Sequence, residues 1–180
     1  MDGFFGLIGR LVGSFGAVGL DYMFTGALAA GFFGVPRSTV DVDVVVAVLG
    51  RGYRVKVVSA LRQAGLRVDE KKIDAALKGG YGIVTLGDVK SPYSVDVIFS
   101  RGRLRKRAGT VVGLSTFFQV PEDLILAKLR MIKATVPRER AFKDEEDVRA
   151  ILKFTRVNVE AVRKRAKRQG TLSVFDALTA

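Results

Sequence analysis

The sequence contains no cysteine, no histidine and no tryptophan in 180 residues. Without cysteine there is no disulfide, no thiolate zinc site, no iron–sulfur cluster and no thiol nucleophile. Without histidine there is no Ser-His-Asp triad, no imidazole general base and no histidine metal ligand. Chemistry in this chain must run on carboxylates, lysine, arginine, hydroxyls and backbone. Amides are scarce as well: Asn158 is the one asparagine, and Gln63, Gln119 and Gln169 are the three glutamines, a composition that fits a thermophile. Long apolar runs are missing too. The longest uncharged stretch, 22–36, is shorter than the roughly 18–20 residues a bilayer span needs. It has no basic segment before it of the kind a secretory signal carries. A cytoplasmic protein with no membrane partner is expected.

Hydrophobic residues make up 48% of the chain and charged residues 27%, too apolar for a disordered polymer and enough to bury a core. The formal charge is +12, from 30 Lys+Arg against 18 Asp+Glu. Residues 1–50 carry two basic and four acidic side chains, a net of −2, whereas 101–180 carry nineteen and nine, a net of +10. An acid-leaning start joined to a basic second half suggests a carboxylate site facing a polyanionic partner. Ion pairing and solvation of a heat-stable surface is the alternative.

Periodicity and punctuation give the elements. Residues 4–20 read as a glycine-diluted apolar helix, and 22–33 as a second helix ended by Gly34-Val35-Pro36. Residues 38–48, STVDVDVVVAV, are β-branched and read as a buried strand. Helices are predicted at 54–64 and 69–78, stopped by Gly65 and Gly79-Gly80, and strands at 81–87 and 94–100 joined by a turn-rich DVKSPY segment. The basic run RGRLRKR at 101–107 precedes one strand candidate at 110–120. Helices follow at 121–134, 143–154 and 158–168, with a short one near 171–178. The fold class is α+β, a small mixed sheet with flanking helices: a core over 1–120 and a helical C-terminal region over 121–180.

Asp41 and Asp43 are two apart in a strand, so both project from one face, with Val42 and Val44 on the other. Asp96 repeats the pattern inside VDVIF. Three acids in apolar strands are costly unless a cation compensates them, and their hard oxygens suit Mg²⁺ or Mn²⁺ rather than zinc. The alternative has Asp41 capping a strand end and Asp96 paired with an arginine. Thr25, Gly26 and Ala27 lie at a helix start, where free backbone N–H groups bind phosphate. Arg37 and Thr39 stand just ahead of the acids, placed to hold triphosphate oxygens or to cap the strand. Lys128 has Leu124, Ile125, Met131 and Ile132 as its helical neighbours. An ammonium in such a patch must snorkel to solvent or meet an anion, a triphosphate, Asp96 or Asp144. Asp144, Glu145, Glu146 and Asp147 open a helix, where acids offset the macrodipole. On the helix at 158–168, Arg163, Lys164, Lys167 and Arg168 form a polar face suited to phosphate backbones.

The segment TGALAAGFFGVPRSTVDVDVVV followed by VDVIF resembles the nucleotidyltransferase superfamily. The downstream PEDLILAKL and RERAFKDEEDV are similar to its branch of abortive-infection and toxin–antitoxin nucleotidyltransferases. The resemblance covers about residues 20–150. It implies that Asp41 and Asp43 hold two divalent ions, Mg²⁺ or Mn²⁺, against the triphosphate of an NTP. Asp96 would complete one metal site and orient or deprotonate an acceptor hydroxyl. The implied activity is transfer of a nucleoside monophosphate to RNA, tRNA or protein, with an antitoxin protein as a further partner. The chain departs from the family at Ala27, where Gly or Ser is usual, and Thr25 offers a hydroxyl nearby. A non-catalytic module that binds nucleotide or nucleic acid is the alternative this departure favours.

Overall fold

Seven residues rich in valine, Asp41–Ala47, lie inside a six-stranded sheet and fix its register. The computed structural model describes residues 3–79 and 82–180. In chain order its elements are α1 (Phe4–Ala17), β1 (Tyr22–Phe24), α2 (Gly26–Phe33), β2 (Asp41–Ala47), α3 (Tyr53–Gln63), α4 (Glu70–Lys78), β3 (Ile83–Gly87), β4 (Ser94–Ser100), β5 (Lys106–Val111), β6 (Leu114–Gln119), α5 (Pro121–Ala134), α6 (Phe142–Phe154), α7 (Val159–Arg168) and α8 (Leu172–Thr179), with a 3₁₀ turn at Arg138–Ala141. They form two units. A sheet unit holds the residues up to Thr25 together with Ser38–Phe118, and a helical unit holds Gly26–Arg37 and Gln119–Ala180. The segment 26–37 therefore joins the helical unit although it precedes β2 in the chain.

The strand order is β3-β4-β2-β1-β6-β5. β2 runs parallel to β4, β1 antiparallel to β2, and β3 antiparallel to β4, while β1 meets β6 in parallel at Phe24 and Phe118. Parallel pairing needs a crossover, and α3 and α4 lie in the connection between β2 and β4. In α1 the spacing of Leu7, Ile8, Leu11 and Phe15 puts four fully buried side chains on one stripe, and α1 packs on α3. Arg54 ties α3 to α4, donating to Asp74 at 2.6 Å and to Glu70 at 2.9 Å. These hydrogen bonds hold both carboxyls below their ordinary range.

Two predicted elements differ. The helix expected over 22–33 begins only at Gly26, because Tyr22, Met23 and Phe24 form β1, buried on both faces beside β2. Such a run of large apolar side chains favours a central strand. Gly26 breaks the direction with φ +59°, a conformation that favours glycine. The single strand expected at 110–120 is a hairpin, β5–β6, whose first strand takes in the end of the basic run. The predicted helix stop at Gly80 and strand start at Tyr81 lie outside the described residues. No described helix is long and apolar enough to cross a membrane.

Asp88, 1% exposed, closes β3 where the chain turns toward β4. Arg10 of α1 reaches it at 2.7 Å and donates through Nε to the Ala64 carbonyl at 2.9 Å, and the Ser91 hydroxyl donates to the other Asp88 oxygen. Burial alone would push the Asp88 carboxyl up, but the donors from Ser91, Arg10 and the Lys90 backbone outweigh it and hold the group below its ordinary value. A lowered carboxyl stabilises the fold above the ordinary carboxylate pKa, and that contribution fades as pH falls through the folded value. Asp88→Asn should cost about 3 kcal/mol near neutral pH, as breaking a buried pair does. It should also flatten the loss of stability below about pH 4. Urea unfolding at stepped pH measures both.

In the helical unit, Leu126, Leu129, Val148, Ile151, Val162 and Phe175 form the core. Pro121 at the first turn of α5, with Glu122 and Asp123, starts that helix as predicted, and Asn158 caps α7 by accepting from the Ala161 N–H at 3.0 Å. Gly34 lies against α6 so closely that a Cβ there would stand 2.9 Å from the Ala150 Cβ and 3.0 Å from the Ile151 nitrogen.

The β5–β6 turn is Val112-Gly113, with φ +51° and +77°. A two-residue hairpin of this hand wants Asn-Gly, and a β-branched residue there is strained. Val112 is also exposed, so nothing is lost from the core. Val112→Asn should stabilise the protein by about 1 kcal/mol, the scale of left-handed strain. The check is a raised urea midpoint at unchanged slope.

Candidate active site

The pairing of β2 with β4 sets Asp43 directly opposite Asp96, and Asp41 opposite Ser94. Alternation puts Asp41, Asp43 and Asp96 on one face, where all three are half-buried, while Val42, Val44, Val95 and Val97 fill the core behind them. Like charges directly opposite each other on neighbouring strands destabilise a sheet. The fold accepts that cost where the parallel ladder is longest.

The third strand completes the row. Thr85 of β3 is opposite Asp96 and donates its hydroxyl to Asp96 Oδ1 at 2.5 Å. Ahead of β2, Thr39 donates to Asp41 Oδ1 at 2.5 Å. Asp96 thus meets a threonine and not the arginine weighed from sequence, and Asp41 binds the hydroxyl of Thr39. The Thr25 N–H donates to the Asp43 carbonyl at 3.0 Å, which brings the end of β1 beside the row. Among the described residues, Asp41 Oδ2 and Asp96 Oδ2 accept no hydrogen bond and no ion pair.

Hard carboxylate oxygens on adjacent strands, two of them without a partner, suit an octahedral divalent cation in donor type. Among the described residues, no three acidic side chains are gathered as closely as a bound ion would draw them. The backbone register supplies the shared face.

Lys128 and Arg37 lie together in the helical unit. Lys128 is 5% exposed, and its ammonium meets Asp144 at 2.8 Å and Asp147 at 2.7 Å. Arg37 reaches the same Asp147 through Nε at 3.1 Å and Nη2 at 3.1 Å. The anion that Lys128 requires is therefore the Asp-x-x-Asp pair at the start of α6. Asp144, one of the anions expected for Lys128, shares a face with Asp147 at i and i+3, whereas Asp147 is legible in the sequence only as a favourable charge at a helix start. Gly26 and Ala27 begin α2, where the positive φ of Gly26 gives that glycine a backbone reason.

The basic face of α7 is partly compensated. Arg163 pairs with Asp176 at 2.5 Å and stacks over Phe175, and Arg165 pairs with Asp123. Lys164, Lys167 and Arg168 are exposed and make no ion pair among the described residues. In the earlier basic run, Lys106 bonds to Asp21 and lies over the Phe117 ring.

The mixed six-stranded sheet with its flanking helices is an α+β architecture that solved nucleotidyltransferase structures share. No protein-family model matches the chain, and no curated protein matches it in sequence. Solved structures do. The chain is similar to the antibiotic-resistance factor ANT(2″)-Ia in solution, at 15% identity and TM-score 0.68, over 97% of this chain and 96% of that one. It is similar to crystalline ANT(2″)-Ia in complex with adenylyl-2″-tobramycin, at 16% identity and TM-score 0.66, over 97% of each chain. It also resembles an antigenic nucleotidyltransferase-like protein from Paracoccidioides brasiliensis, at 14% identity and TM-score 0.56, over 91% of this chain and 88% of that one. At these identities the likeness is one of fold.

Lys128→Met should lower stability by about 3 kcal/mol, since it leaves two half-buried to buried acids without their ammonium. Nucleotide affinity should be unchanged. Thermal unfolding and nucleotide titration on the same preparation separate the two effects, and a loss of affinity without a loss of stability would return Lys128 to the triphosphate.

Proposed function

We propose that this protein is a divalent-metal-dependent nucleotidyltransferase that moves a nucleoside monophosphate from an NTP to a hydroxyl acceptor. The observation that carries the reading is Asp43 level with Asp96 on adjacent parallel strands, with Asp41 on the same face. Asp41, Asp43 and Asp96 would hold Mg²⁺ or Mn²⁺, which when bound supplies charge stabilisation at the triphosphate and leaving pyrophosphate. Asp96 takes the proton of the attacking hydroxyl, and Asp41 and Asp43 orient the donor. Thr25 and Thr39, next to those acids in the sheet unit, would face the donor phosphates. Phosphoryl chemistry of this kind is mostly positioning and electrostatics, which suits a chain without histidine.

RNA, including tRNA, is the acceptor in keeping with the charge. The exposed Lys164, Lys167 and Arg168, with Arg163 at their edge, offer phosphate contacts without aromatic stacking. The structural neighbour ANT(2″)-Ia is seen in complex with adenylyl-2″-tobramycin. The +10 charge of 101–180 favours a polyanionic acceptor here. One observation favours the non-catalytic alternative: the three carboxylates are not gathered among the described residues.

Incubation with each α-labelled NTP and Mg²⁺ or Mn²⁺, with and without total RNA, decides between them. Label should pass to RNA, and Asp43→Asn or Asp96→Asn should cut transfer at least about a hundredfold, the scale of a positioned catalytic group. Nucleotide binding without transfer to RNA or protein would establish the binding module.

A further inference from the structure

We infer that Thr85 and Thr39 are positioning residues: each fixes one oxygen of an outer carboxylate so that its second oxygen is presented to a divalent cation. This rests on the nucleotidyltransferase reading of the acid row and adds the residues that set its geometry. Thr85, Asp96 and Asp43 occupy one line across β3, β4 and β2, and Thr39 stands two residues before Asp41. The two outer acids each accept one threonine hydroxyl on Oδ1, and each keeps an Oδ2 without a partner among the described residues.

The residue type matters. Aspartate χ2 is soft, so a carboxylate on a half-exposed strand face samples many orientations. Threonine is stiff at χ1, and in β3 the Thr85 hydroxyl has a narrow range of directions. One hydroxyl on one oxygen therefore selects an orientation of the whole carboxylate. Thr85 is exposed on an edge strand, where its side chain contributes nothing to the core, and Val84 and Leu86 on its flanks do the packing. Among the described residues its hydroxyl bonds to Asp96. Partners that orient ligands in this way are worth about 10–100-fold in metal affinity.

The test is Mn²⁺ binding to the full chain, followed by electron paramagnetic resonance of the free ion, with no nucleotide and no turnover. Thr85→Val should weaken binding about tenfold, while Thr85→Ser, which keeps the hydroxyl, should bind nearly as wild type. Thr39→Val and Thr39→Ser should repeat the pattern more weakly or equally. Urea midpoints of each Val/Ser pair control for folding, and the Ser variants keep the comparison valid if a Val variant is destabilised. Wild-type affinity in Thr85→Val and Thr39→Val, with binding lost in Asp96→Asn, overturns the positioning role and leaves the metal site standing. No Mn²⁺ binding by the wild type itself overturns the site and the positioning role together.

Discussion

The parallel pairing of β2 with β4 is the constraint on which the rest of the structure depends. Seven residue pairs from Asp41–Ser94 to Ala47–Ser100 lock these strands in register. Valines on one face give that register its energy, since a slip by one residue would turn them all out of the core. The same register leaves Asp43 facing Asp96 across neighbouring strands, roughly 4.8 Å apart in backbone spacing. Hydrophobic burial on one face thus enforces an electrostatically unfavourable arrangement on the other. A cation or a polar ligand is the natural relief for that arrangement.

Charge is handled differently in the two units. In the helical unit two cations meet two acids: Lys128 and Arg37 share Asp147, and Lys128 also binds Asp144. Two of these charges, Lys128 and Asp147, are buried and two are half-buried, which is tolerable because each is paired and the formal sum is zero. In the sheet unit, Asp88 is buried and matched by Arg10, while among the described residues the side chains of Asp41 and Asp96 are bonded only to hydroxyls. A carboxylate given a hydroxyl but no cation lacks the ion pair that Arg10 provides to Asp88. That contrast separates the structural acids of this chain from those proposed to work on a ligand.

Much of this was legible in the sequence, for identifiable reasons. The Asp-x-Asp spacing in a β-branched run defines a shared face wherever the strand lies, and VDVIF repeats the signature. Pro121-Glu122-Asp123 marks a helix start by local chemistry alone. Other features depended on partners far along the chain. Tyr22, Met23 and Phe24 look like part of an apolar helix until β2 and β6 are seen to flank them. Lys128 announced its need for an anion, but Asp147 could be chosen only once α5 and α6 were packed. Thr85 carried no local signal, because its meaning comes from the antiparallel register that sets it against Asp96.

The central claim is that Asp41, Asp43 and Asp96 form one divalent-cation site at which a nucleotide is held. Anomalous scattering from a crystal grown with Mn²⁺ and a non-hydrolysable NTP tests it most directly. The account predicts an anomalous peak bounded by oxygens of all three aspartates, with the triphosphate beside it. Carboxylates that stay apart around an empty face, with Mn²⁺ and nucleotide bound elsewhere or not at all, would contradict it.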